Sequence, residues 1–324
     1  MTNYNQLYDE ETYMLVNKEN KMLLEDYQLE LQSLGRQQNT INQYSSDVRS
    51  LYCWIYHNLD NMNILEMGRR QFRNFFLYLQ STNKSSARIN RFMSSVRNML
   101  EYVAESDEPE YNHYTINQMK KIKGLESIQA KEVLFIPDDK ITYLINYLIE
   151  HDKLQRALYV SLSYDSCCRR NEAWQVTKHS FLIEGVYKTE PVKCKRGKVA
   201  PLMYSQRTKD IAKLYLEARG NDSVDSLWIN ERLNTPTPIS SATLNDWAIS
   251  FRSIIDMDIS AHMFRHSGLE NYEQGTHSAL AHLGVDRLDL DTLRILANHT
   301  SLDTTKSYLL NKDADKLDNL FNNK

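Results

Sequence analysis

Between Thr40 and Val103 apolar side chains return every three or four positions, and a stretch with that rhythm can bury its stripe only as packed helices. Ile41, Tyr44, Val48, Leu51, Tyr52 and Ile55 make the first stripe, and Thr40-x-x-Gln43 reads as a capping box at its start. A second helix is expected over about residues 69–80, with Phe72, Phe75, Phe76 and Leu79 on one side. A third opens near Ser85-Ser86, turns Ile89, Phe92, Met93, Val96, Leu100 and Val103 inward, and carries Arg88, Arg91 and Arg97 on its opposite face. The expected product is a small bundle with a basic side, suited to a DNA backbone.

A chain of 324 residues exceeds the size at which one hydrophobic core stops growing, so two domains are expected. With only 9 Gly and 6 Pro, most of it should be helical. No internal repeat or low-complexity linker stands out. The start of the chain is acidic and polar, which excludes a secretory signal, and no apolar run reaches bilayer length. A soluble, cytoplasmic, DNA-associated protein without membrane partners is the expectation. Cys53, Cys167, Cys168 and Cys194 have no C-x-x-C spacing and read as reduced thiols. His262 and His266 could share a helix face, yet the neighbourhood offers no further zinc ligands, so no metal is expected.

The formal net charge of −3 argues against nucleic acid until its distribution is read. Residues 31–100 hold nine basic against three acidic side chains, and residues 191–210 hold six basic against Asp210 alone. Any one basic face is usually just solvated. Two basic blocks in an otherwise acidic chain point to phosphate. The division expected is an acidic N-terminal extension over 1–21, a helical DNA-clamping domain over 22–106, a linker over 107–131, and a second domain over 132–324.

In that second domain Asp138 or Asp139 can cap a helix through Ile141, Leu144, Ile145 and Leu148, and another runs over about 153–165. Val186-Tyr187 and Val199-Ala200-Pro201-Leu202 read as short strands around the loop Lys193-Cys194-Lys195-Arg196-Gly197-Lys198, with Gly197 placed for the turn. Helices are expected again over 205–218, 242–255, 262–273, 290–297 and 301–310. Leu310, Ala314, Leu317 and Phe321 would line a last one.

Near the end stand His262-x-x-Arg265, His299 and Tyr308, with Arg169 and Lys193 upstream. These side chains can cut a phosphodiester without metal or cofactor. A phenol attacks phosphorus, arginines hold the non-bridging oxygens, and lysine or histidine protonates the departing oxygen. Arg170 could replace Arg169 if the register slips by one, and Lys195 and Lys198 compete with Lys193.

Arg169 followed by Glu172, the run His262-Met263-Phe264-Arg265-His266-Ser267, and the run from His299 through Thr304-Thr305 to Tyr308 resemble the motifs of the tyrosine recombinases. Ser85-Ser86-Ala87-Arg88-Ile89-Asn90-Arg91 is similar to the start of that family's DNA-clamping helix. The resemblance spans about residues 22–324. It implies a mainly α fold: an N-terminal helical, SAM-like core-binding bundle plus an α+β catalytic domain with a small antiparallel β-sheet, together clamping duplex DNA.

It further implies a 3′-phosphotyrosyl intermediate on Tyr308. Arg169 and Arg265 would hold the phosphate, His262 and His299 would support it and move protons, Lys193 would protonate the leaving oxygen, and Glu172 would orient its neighbours. DNA contacts would fall to Arg88, Arg91, Arg97, Lys195, Arg196 and Lys198. Partners would be double-stranded DNA with an inverted-repeat core site, three further copies in a homotetramer, and accessory DNA-bending or directionality factors, in the service of a mobile element or replicon. The last helix would dock on a neighbouring copy or on its own domain.

The chain departs from the family pattern where Cys167-Cys168 replaces a Gly, where Asn298 replaces another, and in extra residues over 276–289. Two other readings share parts of this pattern: a type IB topoisomerase-like enzyme, and a DNA-binding regulator without catalysis.

Overall fold

The computed structural model describes residues 7–126, 135–231 and 235–309. They divide into two compact units, Met1–Ala130 and Lys131–Lys324, each with its own core.

Unit 1 contains α1 (Glu10–Leu15), α2 (Lys18–Ser33), α3 (Gln38–Asn58), α4 (Arg69–Ser81) and α5 (Ser86–Glu105). The stripes pack as their periodicity demands: Val48, Leu51, Phe72, Phe75, Phe92 and Val96 are fully or almost fully buried. Each such side chain contributes about 1.5–3 kcal/mol relative to exposure. Ser85 caps α5, its Oγ accepting from the Arg88 N–H. The start of α3 differs from expectation. Gln37 is its N-cap, Thr40 already lies inside the helix, and Gln43 turns its amide to Asp47 instead of back to a cap.

Both boundaries expected for the bundle shift outward. α1, within the expected extension 1–21, is capped by Asp9 and lies against α3, with Thr12 Oγ1 3.1 Å from His57 Nε2. Asn17 and Asn20 then bind the backbone of Asn61 and Met62. The expected linker over 107–131 is likewise not free as far as Glu126. Tyr111, Tyr114, Met119 and Ile122 are buried in this core. Their spacing follows turns, so no helical period announced them. Asn90 closes the segment with two 2.8 Å bonds to Leu125, and Asn117 binds Arg97 O and Glu101.

Unit 2 opens with α6 (Asp138–Glu150), α7 (Leu154–Asp165) and the short α8 (Arg170–Trp174). Pro137, not an aspartate, occupies the cap position of α6. Asp138 instead accepts from Tyr164 Oη, Ser278 N and Ser278 Oγ at 2.8–3.0 Å. β1 (Val192–Lys193) and β2 (Val199–Ala200) pair antiparallel, Val192 opposite Ala200 and Lys193 opposite Val199. The strand expected at Val186-Tyr187 is therefore displaced. Pairing between 187–189 and 202–204 survives as single bonds and one bridge, because Pro191 and Pro201 interrupt the ladder with no N–H to donate. Gly197 turns the tip at φ +74°.

α9 (Gln206–Arg219) follows, and the helix expected over 242–255 is broken at Phe251 into α10 (Ser241–Ser250) and α11 (Arg252–Ile255). The unit ends with α12 (Ala261–Gln274), α13 (Leu280–Leu283), α14 (Leu290–Leu296) and α15 (Leu302–Lys306). The extra residues over 276–289 fold back onto the body. The His277 ring is buried between those of Tyr164 and Tyr272, at 4.0 and 3.6 Å, and Leu288 N donates to Tyr272 O. Leu310, Ala314, Leu317 and Phe321 lie outside the described residues. No helix among the described residues is long and apolar enough to cross a membrane.

Candidate active site

α12 carries His262, Arg265 and His266 at i, i+3 and i+4, which sets them on one face of one helix. Arg265 is fully buried, an expensive position that only strong partners sustain. Its Nη1 donates to Cys167 O at 2.5 Å and its Nη2 to Ala297 O at 2.9 Å and to His299 Nε2. Its Nε has no acceptor among the described residues. The two carbonyls belong to left-turning corners: Cys167 has φ +49°, and Asn298, after Ala297, has φ +53°. Asn298 adopts the backbone that glycine favours, as asparagine readily does. Cys167 adopts it at a strain cost, its thiol fully buried.

His299 is oriented from both sides. Because Nε2 faces the Arg265 donor, the ring proton belongs on Nδ1, which donates to Thr305 Oγ1 at 2.9 Å. Thr305 lies three residues before Tyr308, so the helix that holds His299 also delivers the phenol. The Tyr308 ring is stacked on His266 at 4.4 Å, 5.0 Å from the His299 ring and 5.5 Å from that of His262. The Arg265 guanidinium carbon stands 5.1 Å from its centroid.

Arg169 caps α8, and Glu172, almost fully buried, accepts from its backbone N at 2.8 Å and from Nη1 at 3.0 Å. The positive charge of Arg169 reaches the cluster: it depresses Arg265, His262 and His299, each after the larger effect of burial. His262 is held down to about 4 by burial, then by His266, Arg265 and Arg169. His299 is held down to about 3 by burial, then by Arg265, Arg169 and His262. Both imidazoles are neutral near pH 7, in a pocket that gathers cations around one phenol. Arg169 rather than Arg170 supplies that charge.

Lys193 lies on β1 with its side chain exposed, and its backbone is gripped on both sides by the Gln175 amide, at 3.0 and 2.9 Å. Gln175 ends α8, so the helix that begins at Arg169 also fixes the root of the hairpin. The Cys194 thiol, next in the chain, is pushed up first by burial and then by Glu172, against the opposing charges of Lys198 and Arg169. Among the described residues no contact joins the Lys193 ammonium to the cluster. Lys195 and Lys198 are exposed at the hairpin tip, and the Arg196 side chain lies outside the described part.

The expected basic face of α5 needs correction. Arg97 turns to its own protein, donating to Met119 O and, at 2.8 Å, to Ile122 O. Arg88 and Arg91 are half open to solvent but share the buried Asp47. Sequence reasoning did not find Thr305, Gln175 or the Cys167 and Ala297 carbonyls. Only the repeated threonines before Tyr308 hinted at the first, and backbone acceptors leave no mark in sequence.

No family model matches the chain. A curated protein from Thermosipho africanus (strain TCF52B), named a tyrosine recombinase, is 25% identical over 289 residues, covering 87% of this chain and 92% of that protein. A lambda integrase tetramer bound to a Holliday junction matches with a TM-score of 0.68 at 15% identity, covering 90% of this chain and 78% of that one. XerH recombinase in a post-cleavage complex with a palindromic difH substrate gives 0.66 at 17%, covering 87% and 78%. Tn1549 transposon integrase in complex with transposon right end DNA gives 0.62 at 11%, covering 93% and 98%. The fold is that of the tyrosine recombinases, mainly helical with a small antiparallel sheet. The likeness read from the motifs holds in sequence and in fold.

Proposed function

We propose that the chain is a site-specific DNA recombinase that cuts and rejoins duplex DNA through a phosphotyrosine on Tyr308. The observation carrying this reading is the surround of that phenol by Arg265, His262, His266 and His299, within 5.5 Å between centres, with Arg169 adding its charge.

Tyr308 Oη attacks the scissile phosphorus, passing its proton to a neighbouring neutral imidazole, and the bond from phosphorus to the 5′ oxygen breaks. Arg169 and Arg265 hold the non-bridging oxygens, the free Arg265 Nε–H being a buried donor for one of them. Lys193 gives a proton to the departing 5′ oxygen. In the reverse sense, a 5′ hydroxyl from the partner strand attacks the phosphotyrosine and frees the phenol. The ester bond is conserved throughout, so the scheme uses neither nucleotide nor metal. Two duplexes with inverted-repeat sites, held by four copies, would exchange strands in pairs.

A nicked suicide duplex decides between this reading and a regulator. The chain should become covalently joined to the 3′ end, and Tyr308→Phe should lose the adduct entirely. A wild-type chain that binds but never joins would leave only the regulator. Recombinant junctions, as opposed to relaxed circles, exclude a topoisomerase. A 5′-bridging phosphorothioate, whose thiolate leaves without a proton, should restore cleavage to Lys193→Ala. Rescue of Lys195→Ala or Lys198→Ala in its place would move the acid to that residue.

A further inference from the structure

In unit 1 two arginines at the start of α5 share one carboxylate. Asp47 of α3 is fully buried, its Oδ2 accepting from Ser95 Oγ at 2.8 Å and its Oδ1 from Gln43 Nε2 at 3.2 Å. Arg88 Nη1 lies 2.6 Å from Oδ1, while Arg91 Nε stands at 3.8 Å from Oδ2. The Arg88 guanidinium carbon also lies 3.9 Å from the centre of the Phe92 ring. Phe92 itself is buried, so this support does not move. The ion pair and the ring thus hold the Arg88 guanidinium at one end and on one face, although Nη1 makes no aligned hydrogen bond among the described residues, and its side chain keeps 29% exposure. Arg91, one turn on, is less constrained and 45% exposed.

An arginine serves a phosphate through its charge, releasing counterions as it binds. Arg88 is poorly suited to that task, because the carboxylate beside it already cancels its charge and has no other ion partner as close. A base edge asks something different. Guanine O6 and N7 are neutral acceptors in the major groove, and a fork meets both only when its direction is set. Holding the fork in advance removes the ordering cost of that contact. On the reading that this chain binds duplex DNA, we propose that Arg88 reads a guanine through O6 and N7. Asp47 and Phe92 position its fork, and Arg91 beside it takes a phosphate.

The test uses the full chain and a library of random 30-base-pair duplexes. Wild type should enrich a motif containing a G·C pair whose preference vanishes in Arg88→Gln. Replacing that guanine by 7-deazaguanine, which lacks only the N7 acceptor, should weaken wild-type binding on the order of tenfold and leave Arg88→Gln indifferent. Salt dependence separates the two arginines. Arg88→Gln should keep the slope of log Kobs against log salt, and Arg91→Gln should flatten it by about 0.9.

Asp47→Asn should lose the guanine preference and steepen that slope, a pairing that loss of packing alone would not produce. An unchanged guanine preference in Arg88→Gln, or a slope flattened by about 0.9 in that variant, would overturn the proposal. So would enrichment of no motif by a wild-type chain that binds DNA. A wild-type chain that binds no duplex would instead overturn the functional reading, and this inference with it.

Discussion

Each unit buries charge, and the two do it with opposite bookkeeping. In unit 1 the buried group is an anion, Asp47, and two arginines reach in from the rim to cancel it. At the candidate site of unit 2 the most deeply buried group is a cation, Arg265, paired with carbonyls and a neutral imidazole, with the charge of Arg169 nearby and Glu172 bound to Arg169. Asp47 sets one negative charge against two arginines, so the first cluster sums to +1, and Arg88 Nη1 has no hydrogen-bond partner among the described residues. The second sums to +1 as well, from Arg265, Arg169 and Glu172, but its unpartnered donor, Arg265 Nε, belongs to a guanidinium set against a phenol and neutral imidazoles, the surroundings of a site able to receive an anion.

The same substitution in both places should separate them most sharply. Arg265→Lys keeps the charge but not the fork, and strand cleavage on the suicide duplex should fall about 10²–10³-fold. Arg88→Lys should leave single-turnover cleavage of an already saturated duplex within about threefold, since its loss is one of affinity and base preference. Equal rate losses would erase the distinction. Next in size is the removal of the buried acids. Asp47→Ala should cost about 1–3 kcal/mol by urea unfolding, through stranded Ser95 and Gln43 polar groups. Glu172→Gln should cost less stability and more cleavage, because it keeps an acceptor for the Arg169 backbone while loosening the guanidinium.

Acid should also tell the units apart. Folding holds His262, His266, His277 and His299 below their ordinary range, chiefly by burial, to about 4 for His262 and His277 and about 3 for His299. The unfolded chain therefore binds more protons, and the stability these groups lend is whole above about pH 6.5 and drains away as pH falls toward 4 and 3. All four lie in unit 2. Thermal melts at pH 7, 5 and 4 should show unit 2 losing ground first, and His299→Asn should blunt the change. A melt that loses both units equally would contradict this. The smallest effect expected is from Asn298→Gly, which suits φ +53° and should change stability by less than about 1 kcal/mol.

How much of this was legible depended on what kind of atom carried the information. Side-chain periodicity located α3, α4, α5, α7, α9 and α12 to within a few residues, because burial of a stripe leaves a stripe in the sequence. The phenol came into view differently, through the likeness of the run from His299 to Tyr308 to the tyrosine recombinase motif. Hidden were features made by backbone or by irregular turns: the Cys167 and Ala297 carbonyls that hold Arg265, the Gln175 clasp on β1, and the packing of Tyr111 through Ile122 onto the bundle. The basic face of α5 shows in the sequence and its pairing does not, because Arg88 and Arg91 meet Asp47, 41 positions from Arg88 in the chain, and Arg97 meets the backbone carbonyls of Met119 and Ile122.

Gly268, three residues beyond Arg265 on α12, fixes one more property. A Cβ at this position would stand 2.3 Å from Tyr164 O and 2.8 Å from Cys167 Sγ, so α12 presses directly on the end of α7. That seam has no slack in which to slide. The separation between Arg265 and the corner leading to Arg169 is thus set at folding, like the gap in a welded jig. If Tyr308 cuts DNA as proposed, control of the cut must then act elsewhere, on the short arm that brings Tyr308 to the jig.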